Sequence, residues 1–278
     1  MLRVDLDPGL PGGRFACLRG LSGRDEQALA GAGVEALAAT ELLDRLLLAR
    51  PGTSIQPGDA WRLAVGDRDR LLAALYTRHF GDRIESQVHC RACGEGIELS
   101  FSLATLQASL LGPREPSELA GPDPEGYFEL PDAPRFRLPT SEDQRALIGL
   151  EPERARVELL QRCLATDDRA NRTLGDLEPA TLERIEAAMA SVSPILDLPL
   201  RVACHVCAAE QQLRFDIQTY LLRALDHERR YLVREIHYLA RAYGWSLAEI
   251  LELERDDRRR FVELVAAERS TSTRRSLP

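Results

Sequence analysis

The 278-residue chain contains no lysine, and all 36 of its basic residues are arginine. That absence fits a GC-rich coding bias and carries no functional reading. Against 44 acidic residues the formal net charge is −8, which argues against a general polyanion binder and leaves only a local basic face as a route to nucleic acid. No run of about 18 apolar residues occurs, so no segment reads as a membrane-spanning helix. The opening residues Met1-Leu2-Arg3-Val4-Asp5-Leu6-Asp7 carry acids and lack the apolar core of a signal peptide. Nucleophile-elbow, P-loop, dinucleotide Gly-rich and H-E-x-x-H patterns are all missing. Asp167-Asp168 and Asp256-Asp257 read as turn or helix-start residues, and His227 and His237 lie too far apart on one helix to share a metal. The expectation is a protein that is not an enzyme and takes no small-molecule substrate.

Six cysteines are present, and four of them fall into two C-x-x-C pairs, Cys90/Cys93 and Cys204/Cys207. Each pair ends an apolar-alternating run, and another such run comes after it: Ile97-Glu98-Leu99-Ser100-Phe101 and Leu213-Arg214-Phe215-Asp216-Ile217. A phenylalanine lies eight positions after the second cysteine in both copies, Phe101 after Cys93 and Phe215 after Cys207. The pattern reads as strand, knuckle, strand, written twice. A C-x-x-C turn holds two thiolates at the separation one tetrahedral ion needs, and two such turns complete a closed four-thiolate shell. The economical reading is one structural zinc per chain, held by Cys90, Cys93, Cys204 and Cys207. Three other readings stand beside it: redox dithiols, separate metals using His89 or His205, and relics that hold no metal. Redox motifs normally open a helix, whereas alternating residues come next here. Four paired cysteines suit a reducing cytoplasm, and Cys17 and Cys163 read as buried small hydrophobes.

Taken in order, residues 1–12 look turn-rich and loosely ordered, and Arg14 to Leu18 alternates like a strand. Ser22 or Gly23 can cap a helix with an acidic first turn. Ala36 to Leu48 has helical spacing, and Gly66-Asp67 starts another helix carrying Leu71, Leu72 and Leu75. After the first knuckle a short helix is expected over 104–111. Then Gly112 to Pro134 carries six prolines and three glycines, a linker in which Tyr127 to Leu130 can form a short strand. From there the grammar restarts. Arg135 to Leu138 is strand-like, Thr140 to Leu147 echoes Ser22 to Leu29, and Leu159 to Leu164 echoes Leu42 to Leu47. The knuckles repeat at an offset of 114 (204 − 90). The fold expectation is α+β: internally duplicated helix-rich halves, each with a zinc-ribbon-like β-hairpin knuckle, plus a C-terminal all-helical tail. The halves are 14–110 and 135–216, the linker 111–134 and the tail 217–269.

The tail has helical spacing from Ile217 to Tyr243, a Gly244 stop, and a Ser246-Leu247-Ala248-Glu249 capping box. A last helix carries Phe261, Val262, Leu264 and Val265, and residues from Ser270 on read as frayed. This has the look of a helix-turn-helix, and a zinc-ribbon nucleic-acid-binding regulator is the alternative function. Against it, the helix after the turn carries three glutamates and no arginine, which phosphate would repel. Arg258-Arg259-Arg260 is the one basic run there. The tail is also rich in aromatics. Tyr238, Tyr243, Trp245 and Phe261 are the expected anchors for a partner, unless these rings pack on the body or on one another.

The segment Glu235 to Leu251, with Arg258-Arg259-Arg260-Phe261-Val262-Glu263-Leu264, resembles the C-terminus of baseplate proteins of contractile phage tails and phage-tail-like injection systems. The resemblance extends to Gly66-Asp67-Arg68-Asp69 with Leu71-Leu72 and to both knuckles. In such proteins the knuckles read Cys-Pro-x-Cys-Gly. This chain keeps Gly94 but has Arg91 and His205 for the prolines and Ala208 for the second glycine, which puts the second knuckle in doubt. The resemblance implies a structural or assembly component built in the cytoplasm. Its partners would be other baseplate, hub or spike proteins, with no nucleic acid or membrane involved.

Overall fold

The structure is a computed structural model that describes residues 1–10, 13–29, 37–49, 55–110, 119–165, 175 and 177–275. It is a mixed α+β fold, with four two-stranded antiparallel sheets among the described residues. The chain opens with strands Leu2–Leu10 (β1) and Gly13–Leu18 (β2), paired from Leu2↔Leu18 onward. The turn-rich reading of residues 1–12 therefore needs correction over Leu2–Leu10, while residues 11 and 12 lie outside the described residues. Leu2, Val4 and Leu6 alternate inward, while Pro8-Gly9 only shifts the register between Asp5 and Leu10. Asp67 fixes that shift by accepting from the Asp7 and Gly9 amides at 2.7 and 2.8 Å.

Helices Gly23–Ala28 (α1), Ala38–Leu46 (α2) and Val65–Phe80 (α3) come next, with one 3-10 turn at Asp59–Trp61. Strands Arg83–His89 (β3) and Gly96–Ser102 (β4) form the first hairpin, and helix Leu103–Leu110 (α4) leaves it. Short strands Tyr127–Phe128 (β5) and Phe136–Arg137 (β6) open the second half. Helices Ser141–Ala146 (α5), Pro152–Cys163 (α6) and Pro179–Val192 (α7) lie beyond them. Strands Asp197–Ala203 (β7) and Glu210–Asp216 (β8) form the second hairpin. Helices Ile217–Tyr243 (α8), Leu247–Glu252 (α9) and Arg255–Arg275 (α10) complete the chain. The last helix is described as far as Arg275.

The helix starts are local chemistry. Ser22 caps α1 and Thr140 caps α5, each in a capping box closed by an aspartate three residues on. In each case an arginine three residues before the cap grips that aspartate with two hydrogen bonds of 2.6 and 2.9 Å: Arg19 on Asp25, and Arg137 on Asp143. The second set sits 118 positions after the first (137 − 19). The hairpin exits match as well. The Leu103 amide donates to the Asp82 carbonyl, and 114 positions later the Ile217 amide donates to the Leu196 carbonyl.

Two apolar cores, besides a small cluster at the knuckles, lie around this frame among the described residues. The smaller gathers Phe128, Phe136, Leu138 and Cys163 with Ile185, Met189 and Val192 of α7. The larger gathers β1, β2, α2 and α3, yet also takes in Leu196, Phe215, Ile217, Leu221, Leu222 and Leu225. The start of α8 is thus part of the first half's core. Position 217 is a boundary in sequence pattern and not in packing.

A buried joint fastens the halves at the start of α3. Arg68 holds Asp69 through two hydrogen bonds and donates to Ser141 Oγ and Gln144 Oε1 of the second half. The other Asp69 oxygen accepts from the Leu196 amide at 2.9 Å. Gly66 has to be glycine here, since a Cβ would stand 2.2 Å from Ser193 Oγ and 2.9 Å from the Pro194 carbonyl. Val65 donates to the Pro139 carbonyl beside it.

Candidate metal centre

Both knuckles are built by the same backbone device. In the first, the Cys90 amide donates to the Glu95 carbonyl and the Gly94 amide returns to the Cys90 carbonyl. In the second, Cys204 and Ala209 make the first bond, and Ala208 and Cys204 the second. The turn requires a left-handed residue, Gly94 at φ 79° and Ala208 at φ 55°. Ala208 therefore adopts the turn despite its Cβ, at a cost of about 1–2 kcal/mol relative to an unstrained backbone. The missing second glycine does not open the second knuckle.

The hairpins bring all four thiols together, with their sulfurs within 4.8 Å of one another. Cys90 faces Cys207 and Cys93 faces Cys204, both at 3.7 Å. These are free thiols, since a disulfide needs about 2.05 Å. Four sulfurs at about 2.3 Å from one tetrahedral ion stand about 3.8 Å apart, so these separations fit the edges of a four-thiolate shell. Cys90 and Cys204 are buried against Ile97, Val88, Val202 and Ala209, while Cys93 and Cys207 face solvent. The four lie close enough to hold a metal ion. His89 and His205 are exposed and stand outside the set.

The electrostatics ask for a cation. Amides of Cys93 and Ala92 donate to Cys90 and, with the Cys207 sulfur, lower its thiol to about 6. The Cys207 and Val206 amides lower Cys204 in the same way. Cys93 receives the Glu95 amide, which lowers it, yet the adjoining sulfurs and desolvation push it up to about 12. Thiolates this close repel one another, and a divalent ion is the ordinary remedy.

Two further contacts tie the hairpins. Gln211 of the second hairpin accepts from the Arg91 amide at 3.0 Å and donates to the His89 carbonyl. Phe101 and Phe215, the matched phenylalanines, meet edge to face at 5.1 Å between centroids. Their equal spacing from the knuckles singles out both residues in the sequence, though not their contact.

The expected partner anchors fall in two places. Tyr243, Trp245 and Phe261 pack together: Tyr243 stacks on Trp245 at 4.7 Å, and Phe261 meets Trp245 edge-on at 5.2 Å. Trp245 and Phe261 are half-buried in this cluster, while Tyr243, Leu247 and Leu264 remain exposed around it. Tyr238 lies apart, half-buried in a shallow depression with Tyr231, Arg234, Arg259 and Val262.

The fate of the basic run is not visible in the sequence. Arg258 is fully buried and donates to Glu235 at 2.6 Å and Glu26 at 2.5 Å. Arg255 is buried beside it and bonds Glu228, and Arg259 bonds Glu228 and pairs with Glu235. Three arginines of α10 and three glutamates of α1 and α8 neutralise one another. Of the run Arg258-Arg259-Arg260, Arg258 is buried in these pairs and Arg259, partly exposed, is paired with Glu228 and Glu235. No described helix is long and apolar enough to cross a membrane. A comparison with protein-family models, with curated proteins and with solved structures finds no match to this chain.

Proposed function

We propose that this chain is a non-enzymatic scaffold whose two duplicated halves are clamped by one structural zinc ion, and that it serves in baseplate assembly of a contractile, phage-tail-like injection system. The observation that carries the clamp is the crossed pairing of thiols. The first cysteine of each knuckle faces the second of the other, as expected when two copies of one hairpin meet about a two-fold axis. The Phe101–Phe215 contact and the repeated Arg-Ser/Thr-Asp caps support the same duplication. A zinc with four protein thiolates has no open position for substrate, so it is structural in role. Each hairpin then reads as half of a zinc ribbon.

The assembly role rests on the resemblance of the tail, the Gly66-Asp67-Arg68-Asp69 joint and the knuckles to baseplate proteins. The exposed rim around Tyr243, Trp245 and Phe261 is the surface we assign to a baseplate, hub or spike partner, in a chain that works where such particles are built, in the cytoplasm. Nucleic acid is disfavoured by the ion pairs of Arg258 and Arg259. The test is mass spectrometry of purified particles and of an assembly intermediate from the producing cell. The chain is expected in at least one of them, and its absence from both would reject the role. Metal analysis of protein purified without added metal should return one zinc per chain; two, or none in reduced protein, would reject the shared site.

A further inference from the structure

The four cysteines differ in a way that a purely structural ion does not require. One thiol of each knuckle is buried and the other faces solvent. Each exposed thiol stands 3.7 Å from the buried thiol of the opposite hairpin: Cys93 by Cys204, and Cys207 by Cys90. We propose that the centre is a peroxide-modifiable lock, in which oxidation of exposed Cys93 and Cys207 exchanges the metal clamp for two disulfides between the hairpins, Cys93–Cys204 and Cys90–Cys207. The proposal rests on the metal-clamp reading above, but its pairing rests only on the crossed geometry.

In the metal-loaded centre, where the bound ion would keep Cys93 deprotonated, hydrogen peroxide oxidises the Cys93 thiolate to a sulfenic acid and loses hydroxide. The Cys204 thiolate attacks that sulfur, the S–S bond forms, and a second hydroxide leaves. The same two steps at Cys207 and Cys90 consume a second peroxide. Four thiolates and two peroxides thus become two disulfides and four hydroxides, and the ion departs to solvent. To reach about 2.05 Å, each sulfur has to move by only about 0.8 Å. Both hairpins are held in place meanwhile by Phe101–Phe215 and by Gln211. The bonds join residues 117 and 111 apart in sequence, so they restrain the unfolded chain as the ion did.

The test is titration of the full metal-loaded chain with hydrogen peroxide, with ion release measured by a colorimetric chelator and disulfides mapped by mass spectrometry without reduction. Ion release should track formation of Cys90–Cys207 and Cys93–Cys204. The oxidised, metal-free protein should melt at least about 5 °C above the reduced, metal-free protein. Pairs within a knuckle, Cys90–Cys93 and Cys204–Cys207, would overturn the proposal. So would sulfinic acid at Cys93 and Cys207 without disulfides. Ion content before peroxide is measured separately, and the metal-free chain is mapped in parallel. A chain that binds no ion but forms the crossed pairs would reject the clamp alone. One that binds the ion but pairs within knuckles would reject the lock alone. In Cys93→Ser, Cys90–Cys207 should still form; its loss would also count against the proposal.

Discussion

The two halves share their caps and hairpins and differ in whose core receives the helix that leaves the hairpin. After β4 the helix α4, described over Leu103–Leu110, puts Leu103 into the larger core, that of its own half. After β8 the corresponding helix, α8, runs 27 residues, and its first turns enter the core formed by α2 and α3. The first half is thus completed by a helix from beyond the second, and α10 then fastens that helix to α1 through buried charges. Two halves with matching caps and hairpins need not be two independent bodies. Here α8 stitches one half to the other, and the crossed thiols and the Arg68 joint do so at two further places.

The largest effect should come from the knuckles, where equivalent residues of the two halves meet. If the four cysteines hold one ion, as proposed, Cys90→Ser and Cys204→Ser each remove one of its ligands, so each should lower the melting temperature by the same amount, at least about 10 °C. Unequal losses would mean that the knuckles do not share the site. Arg258→Ala should cost about 3–5 kcal/mol in chemical denaturation, because Glu26 and Glu235 stay buried with one partner fewer. A near-neutral result would make the network a surface feature and α10 dispensable to the first half. Leu221→Ala, in the lent helix, should cost about 2–5 kcal/mol, in the same range as Leu72→Ala inside the first half. If Leu221→Ala were silent while Leu72→Ala was not, α8 would be an appendage.

Acid offers a finer comparison. Burial alone would raise Asp25 and Asp143, but the Arg19 and Arg137 guanidinium groups with the Ser22 and Thr140 caps hold both below the usual carboxylate range. Their folded values are depressed, so their contribution is complete above the unfolded value of about 4 and is lost as pH falls through the lower folded values. Arg19→Met and Arg137→Met should both flatten that acid limb of stability, which a series of denaturation curves from pH 5 to 2 would measure. A response in only one would show that the matched geometry hides unequal energetics. The smallest effect belongs to the knuckle turns. Ala208→Gly should stabilise by about 0.5–1 kcal/mol and Gly94→Ala should cost about 1 kcal/mol, both read by thermal melts of the metal-loaded protein.

The features legible in the sequence are those written within a few residues. Ser22, Thr140 and Ser246 announce helix starts because a cap and its reciprocal carboxylate lie three positions apart, and Gly244 announces a stop because it alone takes the left-handed turn freely. The knuckles are legible for the same reason, and the Cys-to-Phe spacing marks two residues that touch. Helix α7 is absent from the sequence reading, although Pro179 at its first turn and Ile185, Met189 and Val192 at helical spacing were there to signal it. The ion pairs are not legible. Arg258 meets Glu235 and Glu26 across 23 and 232 residues, and nothing local separates an arginine bound for the interior from one bound for solvent. The same limit hides the crossing of α8 into the first core, since an amphipathic helix declares that it has a buried face but not whose core receives it.

The distance between the knuckles has a consequence for synthesis. The second knuckle is made 114 residues after the first, and its cysteines are half of the four that cluster. At about 5–20 residues per second, roughly 6–23 s pass between the two on the ribosome. During that interval Cys90 and Cys93 exist without the thiols they meet in the fold. If the four cysteines hold one ion, as proposed, the shell can close only once Cys207 has been made. Until then the first pair would have to stay reduced and unclaimed by another thiol.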